Sequence, residues 1–138
     1  MSAVWGAFAL PSLTTIALLI DLVARHRLLP AADRRLLLYG MAVMSLIFYP
    51  MAIGLVHVDA YRFGYTPWAP FALAAIGCAI PPWRFRAAIV VLLTLVAFDV
   101  HLLPSMNLFD YVVDPFGGLF AIGWCIARGL RRAFARVT

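Results

Sequence analysis

Pro67-Trp68-Ala69-Pro70-Phe71-Ala72-Leu73-Ala74-Ala75-Ile76-Gly77-Cys78-Ala79-Ile80-Pro81-Pro82-Trp83-Arg84-Phe85-Arg86 is the stretch on which the fold turns. An apolar run from Pro67 to Pro81 meets Arg84 and Arg86, interleaved with Trp83 and Phe85. As a helix the run rises only about 22 Å, short of a hydrocarbon core of about 30 Å. Length alone therefore admits a re-entrant turn, and the arginines must decide.

Ten of the eleven basic residues fall in three clusters. These are Arg25, Arg27, Arg34 and Arg35; then Arg84 and Arg86; then Arg128, Arg131, Arg132 and Arg136. Only Arg62 stands apart. Membrane proteins retain Lys and Arg in cytoplasmic loops. With five spans all three clusters share that side; if 67–81 turned back, the second and third would join Arg62 outside. Five spans is the consistent threading.

The fold class read from the sequence is an all-α integral membrane protein, a compact bundle of about five transmembrane helices. Residues 1–138 form a single membrane domain, with spans expected at about 4–24, 36–56, 67–81, 87–103 and 108–127 and a basic interfacial tail at 128–138. The N-terminus is expected outside, on the periplasmic side, and the C-terminus in the cytoplasm. The first run has its basic residues after it, not before it, which is unlike a cleaved signal peptide.

Composition agrees. With 65% hydrophobic and 12% charged residues and a mean hydropathy of +0.97, the chain lacks the polar surface that a soluble domain needs. No period-two alternation of the barrel kind appears, so helices must satisfy the backbone in lipid. Every acidic residue is Asp and every basic one Arg, a bias that reads as GC-rich bacterial codon usage and points to the bacterial inner membrane. The pI near 9.9 points to anionic lipid and not to nucleic acid, since the arginines flank spans. Each contributes about 1 kcal/mol to headgroup attraction. Headgroup contact is assigned to Arg84, Arg86, Arg128, Arg131, Arg132 and Arg136.

Local signals refine the spans. Asp21 precedes Arg25 by four residues, an i,i+4 pair. Pro50 leaves the Leu46 carbonyl without its helical donor and is expected to kink its span, with Ser45 as a substitute contact. Asn107-Leu108-Phe109-Asp110 has the form of a capping box, and Asp114-Pro115 offers a second helix start. Gly117-Gly118 reads as a close-packing surface. Cys78 and Cys125 form no CxxC and read as small core-facing residues.

Threading five spans brings most functional groups to one face. His57, Asp59, Tyr61, Arg62 and Tyr65 follow the second span; Asp99 and His101 end the fourth; Asn107, Asp110, Tyr111 and Asp114 open the fifth. Capping accounts for Asn107, Asp110 and Asp114, and Asp59 with Arg62 is a one-turn surface pair. Asp99 and Asp114 sit deeper, where an ionisable group needs a partner. Asp114 with Arg62 and Asp99 with His101 are the pairs to expect.

His57 and His101 at similar depth could serve as axial ligands of a b-type haem, and His57, Asp59, Asp99 and His101 suit zinc by ligand type. No spacing signature supports either, so no cofactor is expected. HExxH, GxSxG and phosphate-binding glycine loops are absent. The leading expectation is a non-catalytic accessory, assembly or regulatory subunit of a larger membrane complex. Its partners would be membrane lipids and other membrane subunits or further copies of itself. The alternatives are an ion or small-solute transport component using Asp99 and Asp114, and a small membrane enzyme with Asp110 or Asp114 as base and His57 or His101 as acid or metal ligand.

Overall fold

The computed structural model describes residues 10–57 and 60–135, all helix, turn and loop with no strand among them. Six α-helices follow in order: α1 Leu13–Val23, α2 Ala31–Ala52, α3 Ala69–Ala79, α4 Phe85–Asp99, α5 Phe109–Val112 and α6 Pro115–Phe134. Short 3-10 turns at Ala60–Tyr65 and Pro82–Arg84 bracket α3. Taken singly, no described helix is long and apolar enough to cross a membrane. Only α3 with the 82–99 segment passes that test together, bent by 109° at the break.

Polar contacts at the helix ends set the topology. At one end the α1–α2 turn meets the start of α4: Arg86 Nη1 donates to the Leu28 carbonyl at 2.6 Å and Arg84 Nη1 to the Ala32 carbonyl at 3.3 Å. The C-terminal half of α6 returns there too, with Trp124 packed edge-on to Tyr39 of α2 at 5.5 Å. At the opposite end the starts of α1 and α6 join at Asp114, and the 60–65 turn meets the 105–110 segment. The apolar segments thus become helices of unequal length, α3 and the 82–99 segment meeting at the 109° bend. Every described arginine except Arg62 lies towards the first end, called the arginine end below.

Segment boundaries differ from the expectation for local reasons. The first apolar run was expected from residue 4, but α1 starts at Leu13, because the Ser12 hydroxyl accepts from Thr15 N at 3.2 Å and caps the helix there; residues 4–9 lie outside the described part. The second helix starts at Ala31, before 36, so that Asp33, Arg34 and Arg35 are helical, and it ends at Ala52. Pro50 falls in its last turn and ends the helix where a mid-span kink was expected. Ser45 donates to the Met41 carbonyl at 2.8 Å, not to that of Leu46. The tail expected from 128 is helical through Phe134 as a continuation of α6, and Arg136 lies outside the described residues. Cys125 packs against the core as expected, whereas Cys78 is exposed.

The largest contact is α2 against α6. Leu38, Met41, Ala42 and Phe48 pack on Val113 and Ala121. The two glycines make this closeness possible. A Cβ on Gly117 would overlap Thr15 Oγ1, and one on Gly118 would overlap Ser45 Oγ and press on the Tyr49 ring.

Candidate functional site

Buried aspartates organise both ends. Asp21, the last polar residue of α1, is fully buried; its Oδ1 accepts from Leu28 N at 3.0 Å and Leu29 N at 2.8 Å. Its Oδ2 pairs with Arg34 Nε at 2.8 Å and with His26 Nδ1 at 3.2 Å. The expected partner Arg25 is replaced by Arg34, because Arg25 and His26 take left-handed φ values of 53° and 60° and turn the chain away from the helix. Asp33, in the first turn of α2, accepts from Ala87 N at 3.1 Å and so caps the start of α4 from another helix.

At the opposite end Asp114 does the same twice. Its Oδ1 accepts from Gly117 N at 2.9 Å, making it the N-cap of α6 with Pro115 at the first helical position. Its Oδ2 accepts from Ser12 N at 3.0 Å and from the Thr15 hydroxyl, joining the start of α1. These partners take the place of the expected Arg62. The extended backbone of Val113 and Asp114 breaks α5 from α6, so the second start signal prevails and no single helix runs through Pro115.

A second network lies beside it. Asp110 accepts from the Tyr61 hydroxyl through Oδ1 and from the Ser105 hydroxyl through Oδ2. Asn107, fully buried, accepts from Phe109 N at 2.9 Å and donates through Nδ2 to the Tyr61 carbonyl at 3.0 Å. The expected capping box does not form: the N-cap position is Leu108, with no side-chain cap bond. Asn107 makes a two-residue turn onto Phe109 N, and Asp110 reaches across to Tyr61 and Ser105 while Asn107 N donates to Ser105 Oγ at 3.0 Å. Leu108 N donates to the Gly64 carbonyl, and a Cβ on Gly64 would overlap Asn107 Oδ1. Tyr111, fully buried, donates to the Leu103 carbonyl at 2.7 Å and accepts from Leu103 N at 3.0 Å. Phe48, Tyr61, Phe63, Tyr65 and Phe109 form the aromatic floor, with Phe48 and Phe109 centroids 4.3 Å apart. Burial, and then the bond to the Asp110 carboxylate, push the Tyr61 hydroxyl well above the usual tyrosine range.

The polar face read from the sequence thus separates into three places. Tyr61, Asn107, Asp110 and Tyr111 converge; Asp114 belongs to the α1–α6 junction; Asp99, His101, His57 and Arg62 are exposed. Asp99 and His101 meet through the backbone, His101 Nδ1 lying 3.0 Å from the Asp99 carbonyl oxygen. With φ at 52° His101 is the left-handed residue that ends α4, and Leu102 N closes the turn on the Ala97 carbonyl at 2.9 Å. Asp59, a member of the expected zinc set and of the expected pair with Arg62, lies outside the described residues. Among the described residues no group of three or more His, Cys, Asp or Glu side chains comes together.

Ser12, Thr15 and Ser105 carry much of this architecture and were not singled out in the sequence. Pro11-Ser12 ahead of an apolar stretch is a helix-start signal, obscured by the apolar residues that precede it. No family model matches the chain, and no curated protein or solved structure matches it. Chemically, the carboxylates of Asp21, Asp33, Asp110 and Asp114 are met by backbone amides, hydroxyls, one guanidinium and one imidazole.

Proposed function

We propose that this chain is a small multi-pass protein of a bacterial inner membrane, serving as a non-catalytic accessory, assembly or regulatory subunit of a larger membrane complex. One observation carries the reading: side-chain polarity is distributed inside out. On α4 the buried face is Ala87, Val90, Thr94 and Ala97, while Ile89, Leu92, Leu93 and Val96 are each 45–59% exposed. On α1 the buried residues are Thr14 and Asp21, and Leu19, Ile20, Leu22 and Val23 face outward. Soluble monomers rarely expose contiguous apolar patches beyond a few hundred Å². In lipid, small and polar interiors with large apolar exteriors are the expected arrangement.

The subunit reading rests on where the polar groups go. The loops are short, and the buried carboxylates are engaged in holding helix ends, so the lateral apolar surface is what the chain offers a partner. A transport path through Asp99 and Asp114 would require Asp114 to exchange a proton or ion, yet both of its oxygens hold helix starts.

The test is extraction followed by purification. The chain should stay in membranes through alkaline carbonate and co-purify with a stoichiometric membrane partner in mild detergent. Release by carbonate would overturn the membrane reading; a stable, isolated monomer would overturn the subunit reading.

A further inference from the structure

Between α1, α2 and α6 runs an apolar groove of about 480 Å³, walled by Leu18, Leu19, Leu22, Phe116, Phe120 and Trp124. Thr15 and Asp114 close it at one end, and His26 and Arg34 mark the other. It follows α1, whose eleven residues rise about 16 Å. The groove therefore runs the length of α1, from the Asp114 junction to the arginine end.

Trp124 also floors a second cavity, of about 240 Å³, lined by Arg128, Arg131 and Arg132. The Arg128 guanidinium lies over the Trp124 ring at 5.4 Å, and its Nε is buried with no hydrogen-bond acceptor. Arg131 and Arg132 are exposed. By contrast, Arg34 at the groove end is already engaged through Nε with Asp21 and through Nη2 with the Leu29 carbonyl.

We propose that the groove and the arginine cup form one site for an anionic phospholipid, an acyl chain lying along α1 and α6 and the phosphate seated on Arg128, Arg131 and Arg132. Charge complementarity selects the occupant: an apolar slot opens at Trp124 beside three guanidiniums, one with a donor in need of an acceptor. Trp124 sits at the junction, where an indole suits the boundary between chain and headgroup. Arginine is the side chain fitted to a phosphate diester, since its planar fork donates to two oxygens at once. The site rests on the membrane reading above.

Native mass spectrometry of the purified chain in mild detergent tests it, with phosphatidylglycerol and phosphatidylcholine of identical chains as probes. Phosphatidylglycerol should be retained at least about tenfold more strongly, as expected when more than one arginine meets the charged headgroup. Arg131→Gln with Arg132→Gln should abolish that preference. Arg25→Gln with Arg27→Gln, an equal loss of charge on the exposed α1–α2 turn, should preserve it. Leu19→Trp, which fills the groove, should lower retention of both lipids. Equal retention of the two lipids, equal effects of the two arginine pairs, or an unaffected Leu19→Trp variant would each overturn the site. Carbonate release would overturn the membrane reading first, whereas a membrane-retained chain with no headgroup preference overturns this site alone.

Discussion

Asp114 is the residue on which two helix starts depend. Replacing it with Ala removes the acceptor for Ser12 N, the Thr15 hydroxyl and Gly117 N together. A lost cap costs about 1 kcal/mol and each stranded buried donor about 1–3 kcal/mol, so Asp114→Ala should destabilise the fold by roughly 3 kcal/mol. Denaturant unfolding in detergent measures it, and a loss below about 0.5 kcal/mol would mean that the junction carries little. Tyr61 makes a pH prediction. Its hydroxyl ionises less readily in the folded chain than in the unfolded one, where ionisation begins near pH 10. The folded state binds the proton more tightly, so this contribution is present below about pH 10 and is lost as pH rises above it. Tyr61→Phe should therefore flatten the fall in unfolding midpoint as pH rises from about 10 to about 12. A pH dependence identical to that of the parent chain would count against the Tyr61–Asp110 bond. The cap role of Asp114 was legible in the sequence because Asp-Pro is a local signal. Its partnership with Ser12 and Thr15 was not, because those residues lie about a hundred positions away.

Among the helices, α2 and α6 hold the centre, and glycine decides how closely they approach. At Gly118 an added methyl meets Ser45 and the Tyr49 ring, so Gly118→Ala should cost about 1–3 kcal/mol by overpacking. Gly123, on the same helix, has open space around its missing Cβ; Gly123→Ala should be neutral or stabilising by up to about 1 kcal/mol through helix propensity. Thermal unfolding of the two variants side by side checks the contrast, and equal effects would remove packing as the cause. The Gly117-Gly118 pair was readable as a packing surface, but its partner was not. Helix boundaries were less legible than helix order. The first helix begins at Leu13, because hydropathy continues through the Ser12 cap without marking it, and the second runs Ala31–Ala52 where 36–56 was expected, because Asp33, Arg34 and Arg35 look like loop residues. They are helical because Asp33 caps α4 and Arg34 closes on Asp21.

Across the described residues the arginines of the three clusters gather at one end while Arg62, Tyr61 and Asp110 lie at the other. On the membrane reading these ends face opposite compartments. Cysteines at Arg62→Cys and Arg131→Cys, each in a chain with Cys78 and Cys125 replaced, should react differently with a membrane-impermeant maleimide on intact cells. The first should label directly and the second only after permeabilisation; labelling from one side alone would reject the threading. Residue order by itself determined that the chain is helical, that its apolar segments alternate with arginine, and that the polar residues of three separate loops share one end. Those properties follow from hydropathy and charge, which are additive along a chain. Only the tertiary structure decided which of those residues meet. Tyr61, Ser105, Asn107 and Asp110 converge, Asp114 leaves them for Ser12 and Thr15, and Asp99 and His101 remain exposed. A carboxylate goes to whichever buried N–H and O–H donors the packing places within about 3 Å, and that placement is set by how helices far apart in sequence pack against one another.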